Sequence, residues 1–215
     1  IGNRKGQAMD QYRTIRGTST FEYEEKRSRF IATAAFADTE EAALAVLEKV
    51  RAANRTARHN VYAYVLQSGR TRYSDDGEPA KTAGTPVLEA IGHAGISDVI
   101  VVVTRYFGGI LLGTGGLVRA YTKGAKIAVD AAGKSMKRVW TVLYLPCPYS
   151  WYERVKLETE SCGGIIRSTD FGSEVELELL FPQAKAPEFL ARLTDMTAGT
   201  VEAMETGTEY RAFPI

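Results

Sequence analysis

Val99-Ile100-Val101-Val102-Val103 runs into Thr104-Arg105-Tyr106-Phe107-Gly108-Gly109, and three residues later the chain reads Gly113-Thr114-Gly115-Gly116. An apolar run with no polar alternation predicts a buried strand. Leu117, Val118, Ala120, Tyr121, Ala125, Ile127, Ala128 and Val129 then recur at helical intervals, so the order is strand, glycine-rich loop, helix. Five glycines within nine residues cost backbone entropy. They predict positive φ, or a close approach that a β-carbon would block. The amides of this loop are the expected contact surface.

Upstream, residues 20–36 read as two extended segments, and Asp38-Thr39-Glu40-Glu41 opens a helix. Asp38 or Thr39 is its cap, and Ala42, Leu44, Val46, Leu47 and Val50 form its apolar face. Residues 60–66 and 71–73 form a hairpin around Ser68-Gly69. A polar loop follows over 74–85, and Pro86 suits the first turn of a short helix over 87–93. Downstream, the long helix stops near Gly133-Lys134-Ser135. The pattern then gives strand 138–145, helix 149–161, strands 165–169 and 175–181, helix 187–196 and strand 201–210. That βαββαβ order predicts a ferredoxin-like split βαβ domain. Val175, Leu177 and Leu179 alternate with Glu174, Glu176 and Glu178, which predicts a sheet with one wet face.

The chain has 215 residues, 45% hydrophobic and 25% charged, enough for a core without disulfides or metals, and it predicts an α+β protein of two domains. No apolar run approaches a membrane span, and no secretory signal is recognisable, so a cytoplasmic address is expected. The first methionine is Met9, and residues 1–8 are expected to be a remnant or processed extension. Cys147 and Cys162 form no metal-binding or disulfide pattern and are expected to be reduced core thiols. Lys and Arg outnumber Asp and Glu 19 to 14 through Ser135, whereas from Met136 they trail 8 to 12. An anionic partner would favour the first part.

Three clusters could carry chemistry. Amides opening a helix point outward with partial positive charge, so Gly108, Gly109, Gly113, Gly115 and Gly116 with Arg105, Tyr106, Phe107 and Arg119 suit a phosphate. No GxxxxGK[ST] occurs, and Val118 breaks GxGxxG, so a tight crossover and a ligand surface both stay open. Ser74-Asp75-Asp76-Gly77-Glu78-Pro79 crowds three carboxylates that need arginine or Mg²⁺ as counterpart, unless the turn is solvated and its Asp a cap. EF-hand spacing is missing and no metal is expected. Arg58 and His59 precede a strand, and His59 could pair with Ser74 and a carboxylate. Without a GxSxG elbow, a histidine bonded to a neighbouring loop is expected instead. Tyr62, Tyr64, Tyr73, Tyr106 and Phe107 interleave with Arg72, Arg105 and Arg119, a combination that stacks bases and neutralises phosphates but that also serves core packing.

Ser28-Arg29-Phe30-Ile31-Ala32, Ala57-Arg58-His59-Asn60 with Tyr62-Ala63-Tyr64, the acidic turn, Thr82-Ala83-Gly84-Thr85-Pro86 and the whole of 101–121 together resemble the IMPACT/YigZ family. Lys81 stands where that pattern has glycine or serine. The resemblance implies a domain over 9–135 with the fold of ribosomal protein S5 domain 2, and a ferredoxin-like domain over 136–215 similar to the last domain of elongation factor G. It also implies a link to translation, which eukaryotic relatives with an additional partner-binding domain regulate through a starvation kinase pathway. The expected function is a non-catalytic binding or regulatory role toward RNA, ribosome, translation factor or a phosphate-bearing ligand, by a monomer without cofactor. Its contacts would come from Arg58, His59, Ser74, Asp75, Asp76, Glu78, the 105–109 segment, Gly113, Gly115, Gly116 and Arg119. The alternatives are a Mg-dependent phosphotransferase or hydrolase built on the acidic and glycine-rich loops, and a protein-interaction scaffold.

Overall fold

The computed structural model describes residues 11–214, so the expectation for residues 1–8 falls outside the described residues. The architecture is α+β, with two compact units over Tyr12–Met136 and Lys137–Ala212. The first contains β2 (Ser19–Glu25), β3 (Ser28–Phe36), α1 (Glu40–Ala53), β4 (His59–Val65), β5 (Thr71–Ser74), α2 (Gly84–Ala94), β6 (Val99–Tyr106) and α3 (Thr114–Ala132), after a short β1 (Gln11–Ile15). Its sheet has the order β2-β3-β6-β4-β5. All of these neighbouring strands run antiparallel.

Covering both faces of the central strand requires apolar residues at every position, which is why β6 reads as an unbroken hydrophobic run. Val99, Val101 and Val103 pack with α2 and α3 in one core. Ile100 and Val102 pack with Ala43 and Leu47 of α1 in the other. Tyr62 and Tyr64 belong to that second core, so these two tyrosines of the interleaved set are packing residues. The Tyr64 hydroxyl donates to Glu40 at 2.7 Å. That bond, ahead of the nearby Arg70 and Arg72 charges, holds the Glu40 carboxyl below its ordinary value.

The second unit contains β7 (Lys134–Cys147), which starts before the boundary, then α4 (Tyr149–Ser161), β8 (Ile165–Phe171), β9 (Val175–Pro182), α5 (Ala186–Thr197) and β10 (Met204–Pro214). β10 pairs with β7, β7 with β9 and β9 with β8. Val175, Leu177 and Leu179 are buried with Phe189 and Leu193 of α5. Cys147 and Cys162 are free and buried.

One strand lies outside the sequence pattern and three element starts are shifted by three or four residues, each with a local cause. β1 was not expected, because five residues that break strict alternation, with buried Tyr12, Thr14 and Ile15 and exposed Gln11 and Arg13, make a weak signal; its buried Tyr12 hydroxyl donates to Asp98. α2 starts at Gly84 rather than residue 87, because Asp75 supplies the cap that Ala83 lacks. β7 begins at Lys134 immediately after the helix-ending Gly133, whose φ is +70°. β10 begins at Met204, because Val201 is buried from a bend rather than from a strand.

Candidate functional site

Strand register gathers the sequence-selected residues at one end of the first sheet. His59 lies opposite Arg105, Arg105 opposite Phe30, and Tyr106 opposite Arg29. The β2–β3 turn, the acidic turn and the glycine-rich loop therefore meet there.

The acidic turn is directed inward. Asp75 Oδ1 accepts the amides of Ala83 and Gly84 at 3.1 and 2.8 Å, and Oδ2 accepts the Lys81 amide at 2.9 Å. It is the cap of α2, placed eight residues upstream of the helix's unfilled cap position. Asp76 Oδ2 accepts the Asn60 amide at 2.6 Å, its other oxygen lies 3.6 Å from Arg51, and Ser74 Oγ accepts the Asp76 amide at 3.1 Å. His59 Nδ1 lies 2.9 Å from the Asp76 carbonyl, which only accepts, so that nitrogen carries the proton. His59 is thus bonded to the neighbouring loop, and no hydrogen bond joins it to Ser74. Among the described residues, no group of three His, Cys, Asp or Glu is arranged to hold a metal ion.

Lys81 adopts φ +63° in this turn. A left-handed L-residue costs about 1–2 kcal/mol, part of which glycine returns through its larger unfolded-state entropy. Lys81→Gly should stabilise the first unit by about 0.5–1 kcal/mol. A lowered melting temperature would contradict this account of the position.

Glu78 and Arg105 form the centre of the support. Their side chains are 4% and 6% exposed, with Glu78 Oε1 2.8 Å from Arg105 Nη1 and accepting the Tyr121 hydroxyl at 2.7 Å. Burial first, then the Glu78 charge, pushes the Tyr121 phenol far above its ordinary value. Arg105 Nη2 reaches Ser28 Oγ at 3.4 Å, and its guanidinium lies between Phe30 and Phe107, 5.8 and 5.6 Å from the ring centroids. Its Nε has no partner. Arg105 is therefore a buried strut beneath the surface. Tyr106 is half-buried and donates to Asn54 at 3.0 Å, whereas Phe107 is 50% exposed.

The glycines divide by role. A β-carbon on Gly108 would lie 1.8 Å from the Arg27 carbonyl oxygen, so this glycine permits a backbone contact with the β2–β3 turn. Gly109 and Gly113 have φ +84° and +75°. Gly113 is the N-cap of α3 and offers no side chain to it, leaving the exposed first turn through Gly115 without a side-chain cap. Such amides attract anions.

The segments that meet at this end carry exposed cations. Among the described residues, Lys26, Arg27, Arg55, Arg58, Lys81 and Arg119 have no carboxylate within ion-pair distance. A groove of about 240 Å³ between the β2–β3 turn and α3 is lined by Lys26, Leu112, Gly116, Arg119 and Lys123, with Glu25 on its rim 3.9 Å from Lys123. Sequence reasoning did not select Lys26, Arg27, Ser28, Asn54 or Tyr121. Ser28 and Tyr121 lay inside the family-like blocks. The Lys26-Arg27 pair carried no signal, since both adopt positive φ in a two-residue turn that usually takes Asn or Gly.

The fold and this site define a two-domain α+β protein whose first unit carries a basic, glycine-lined sheet end. The Impact N-terminal domain matches residues 26–129, which hold every residue of that end named here except Glu25, and a domain of unknown function, DUF1949, matches residues 145–200. The chain is 40% identical over 183 residues to "IMPACT family member YigZ" of Escherichia coli (strain K12), covering 83% of this chain and 90% of that protein. It is 29% identical over 204 residues to "IMPACT family member YvyE" of Bacillus subtilis (strain 168), covering 94% of each. A solved structure described as "Crystal structure of an hypothetical protein" shares 37% identity at a TM-score of 0.64, covering 93% of this chain and 98% of that one. The chain belongs to the IMPACT family.

Proposed function

We propose that the first unit is a non-catalytic binding module that contacts RNA, free or within the ribosome, through the basic sheet end. The observation that carries this is the asymmetry of charge there. Asp75, Asp76 and Glu78 are held by backbone amides, Arg51 and Arg105, while Lys26, Arg27, Arg55, Arg58, Lys81 and Arg119 are exposed and without ion-pair partners, Lys26 and Arg119 lining the groove beside α3. Carboxylates neutralised from within do not repel a phosphate chain, and unpaired guanidinium groups attract it. The site residues chosen from sequence then take two roles. Arg58, Phe107, Gly109, Gly113, Gly115, Gly116 and Arg119 make up the contact surface, and His59, Ser74, Asp75, Asp76, Glu78, Arg105, Tyr106 and Gly108 hold it in shape. The connection to translation rests on the family resemblance. No helix among the described residues is long and apolar enough to cross a membrane.

Fluorescence anisotropy with an RNA of about 20 nucleotides tests the proposal. Each phosphate that the protein no longer neutralises should reduce the slope of log K against log salt by about 0.7 for a single strand. Arg58→Gln and Arg119→Gln should each weaken binding and flatten the slope by about that amount, whereas Lys156→Gln in the second unit should change neither. RNA affinity that ignores salt, or that survives both substitutions unchanged, contradicts the proposal. A melting-temperature rise with Mg-nucleotide, accompanied by turnover, would favour the phosphotransferase alternative instead.

A further inference from the structure

We propose that Phe107 is a base-stacking platform, so that the RNA taken by this end of the sheet is single-stranded; this rests on the RNA function proposed above. Phe107 is 50% exposed, although it lies only two positions beyond a buried arginine in the chain. The Arg105 guanidinium lies 5.6 Å from its ring centroid. That guanidinium is fixed from behind by Glu78 at 2.8 Å and by the Phe30 ring at 5.8 Å. The ring is thus backed by an immobilised cation and open to solvent over half its surface. Gly108 and Gly109 follow it without side chains, and a β-carbon on Gly109 would meet open space, while Ile110 and Leu111 further along the loop are also exposed.

Exposed aromatic surface of this kind could serve a protein or a nucleobase, and the surrounding charge decides between them. Of the exposed cations on the adjoining segments, Arg29 opposite Tyr106 is paired with Glu22, whereas Arg58 beside His59 and Arg27 against Gly108 have no ion-pair partners, which suits an occupant with negative charge next to a flat apolar face. Single-stranded RNA has both features. In a duplex the base faces are stacked on one another, and an aromatic side chain finds none to cover. Stacking on an aromatic ring also tolerates any base, so little sequence preference follows.

The test compares a labelled oligouridine of about 12 nucleotides with a duplex of equal phosphate count, using wild type, Phe107→Ala and Phe107→Trp. Phe107→Ala should bind the single strand about tenfold or more weakly with an unchanged salt slope, and it should bind the duplex as wild type does. Phe107→Trp should retain affinity, and its added fluorescence, measured as the difference from wild type, should be quenched on binding. Because the side chain is half exposed, equal melting temperatures for all three proteins are expected. Single-strand binding by Phe107→Ala within twofold of wild type overturns the platform while leaving the RNA proposal intact. Equal affinity of wild type for duplex and single strand does the same. Loss of a protein partner in Phe107→Ala, with RNA binding untouched, assigns the ring to a protein interface and overturns the platform. Absence of RNA binding by wild type overturns both proposals.

Discussion

Glu78→Gln should destabilise the first unit by about 3–5 kcal/mol, a large part of the stability of a domain this size. The substitution keeps the shape of the side chain and removes only its charge. Arg105 would remain in place, its side chain 6% exposed, its Nε already unpartnered and its Nη1 facing a neutral amide. An uncompensated buried charge is far more costly than a missing pair. The double variant Glu78→Gln/Arg105→Met should therefore be more stable than Glu78→Gln alone, although it loses the cation between Phe30 and Phe107. The protein's two tryptophans, Trp140 and Trp151, both lie in the second unit, so their fluorescence is the wrong probe. Far-UV circular dichroism and hydrogen exchange of β6 amides follow the affected unit. A Glu78→Gln variant within about 1 kcal/mol of wild type would mean that the pair is not the strut described here.

Gly108→Ala should cost about 3 kcal/mol or more, by a different route. The added carbon would stand 1.8 Å from Arg27 O and 2.0 Å from Arg27 C, and both atoms are backbone, so no side-chain rotation relieves the overlap. Either the β2–β3 turn or the loop after β6 must move, and each carries part of the basic surface. Gly109→Ala is the control. There φ is +84° but the space is open, so the cost is conformational alone, about 1–2 kcal/mol. Paired unfolding measurements should rank Gly108→Ala as clearly the more damaging. The reverse order would mean that the turn and the loop do not meet as described.

Both results depend on pairings that linear sequence does not display. The apolar run 99–103 with its glycines announced strand, loop and helix, because a strand covered on both faces leaves a continuous hydrophobic signature. The βαββαβ order was legible for a different reason, since strand and helix periods alternate through 138–210 and the strands carry one wet face. That some glycine in the loop admits a close approach was also legible, but its partner Arg27, 81 positions upstream, was not. Arg105 reads in sequence as a free cation beside a glycine loop. Its neutralisation by Glu78, across 27 residues, is visible only once β6 and the acidic turn are adjacent. The acidic turn reads as three carboxylates that need arginine or Mg²⁺, or an Asp that caps, but which arginines and which amides hold them leaves no mark on residue type. Gly113 keeps its sequence reading nearly intact, as an opening to α3 with no side chain over it, and His59 bonds a neighbouring loop as its sequence context suggested.

The central claim is that negative charge docks at the basic end of the first sheet. The most direct measurement is the chemical-shift change of each backbone amide in ¹⁵N-labelled protein as single-stranded RNA is added. The amides of Thr114, Gly115 and Gly116 should move most, with those of Arg27, Arg58 and Phe107, and residues 137–212 should stay unperturbed. Shifts concentrated in that second unit, with the opening of α3 unmoved at saturating RNA, would contradict the account.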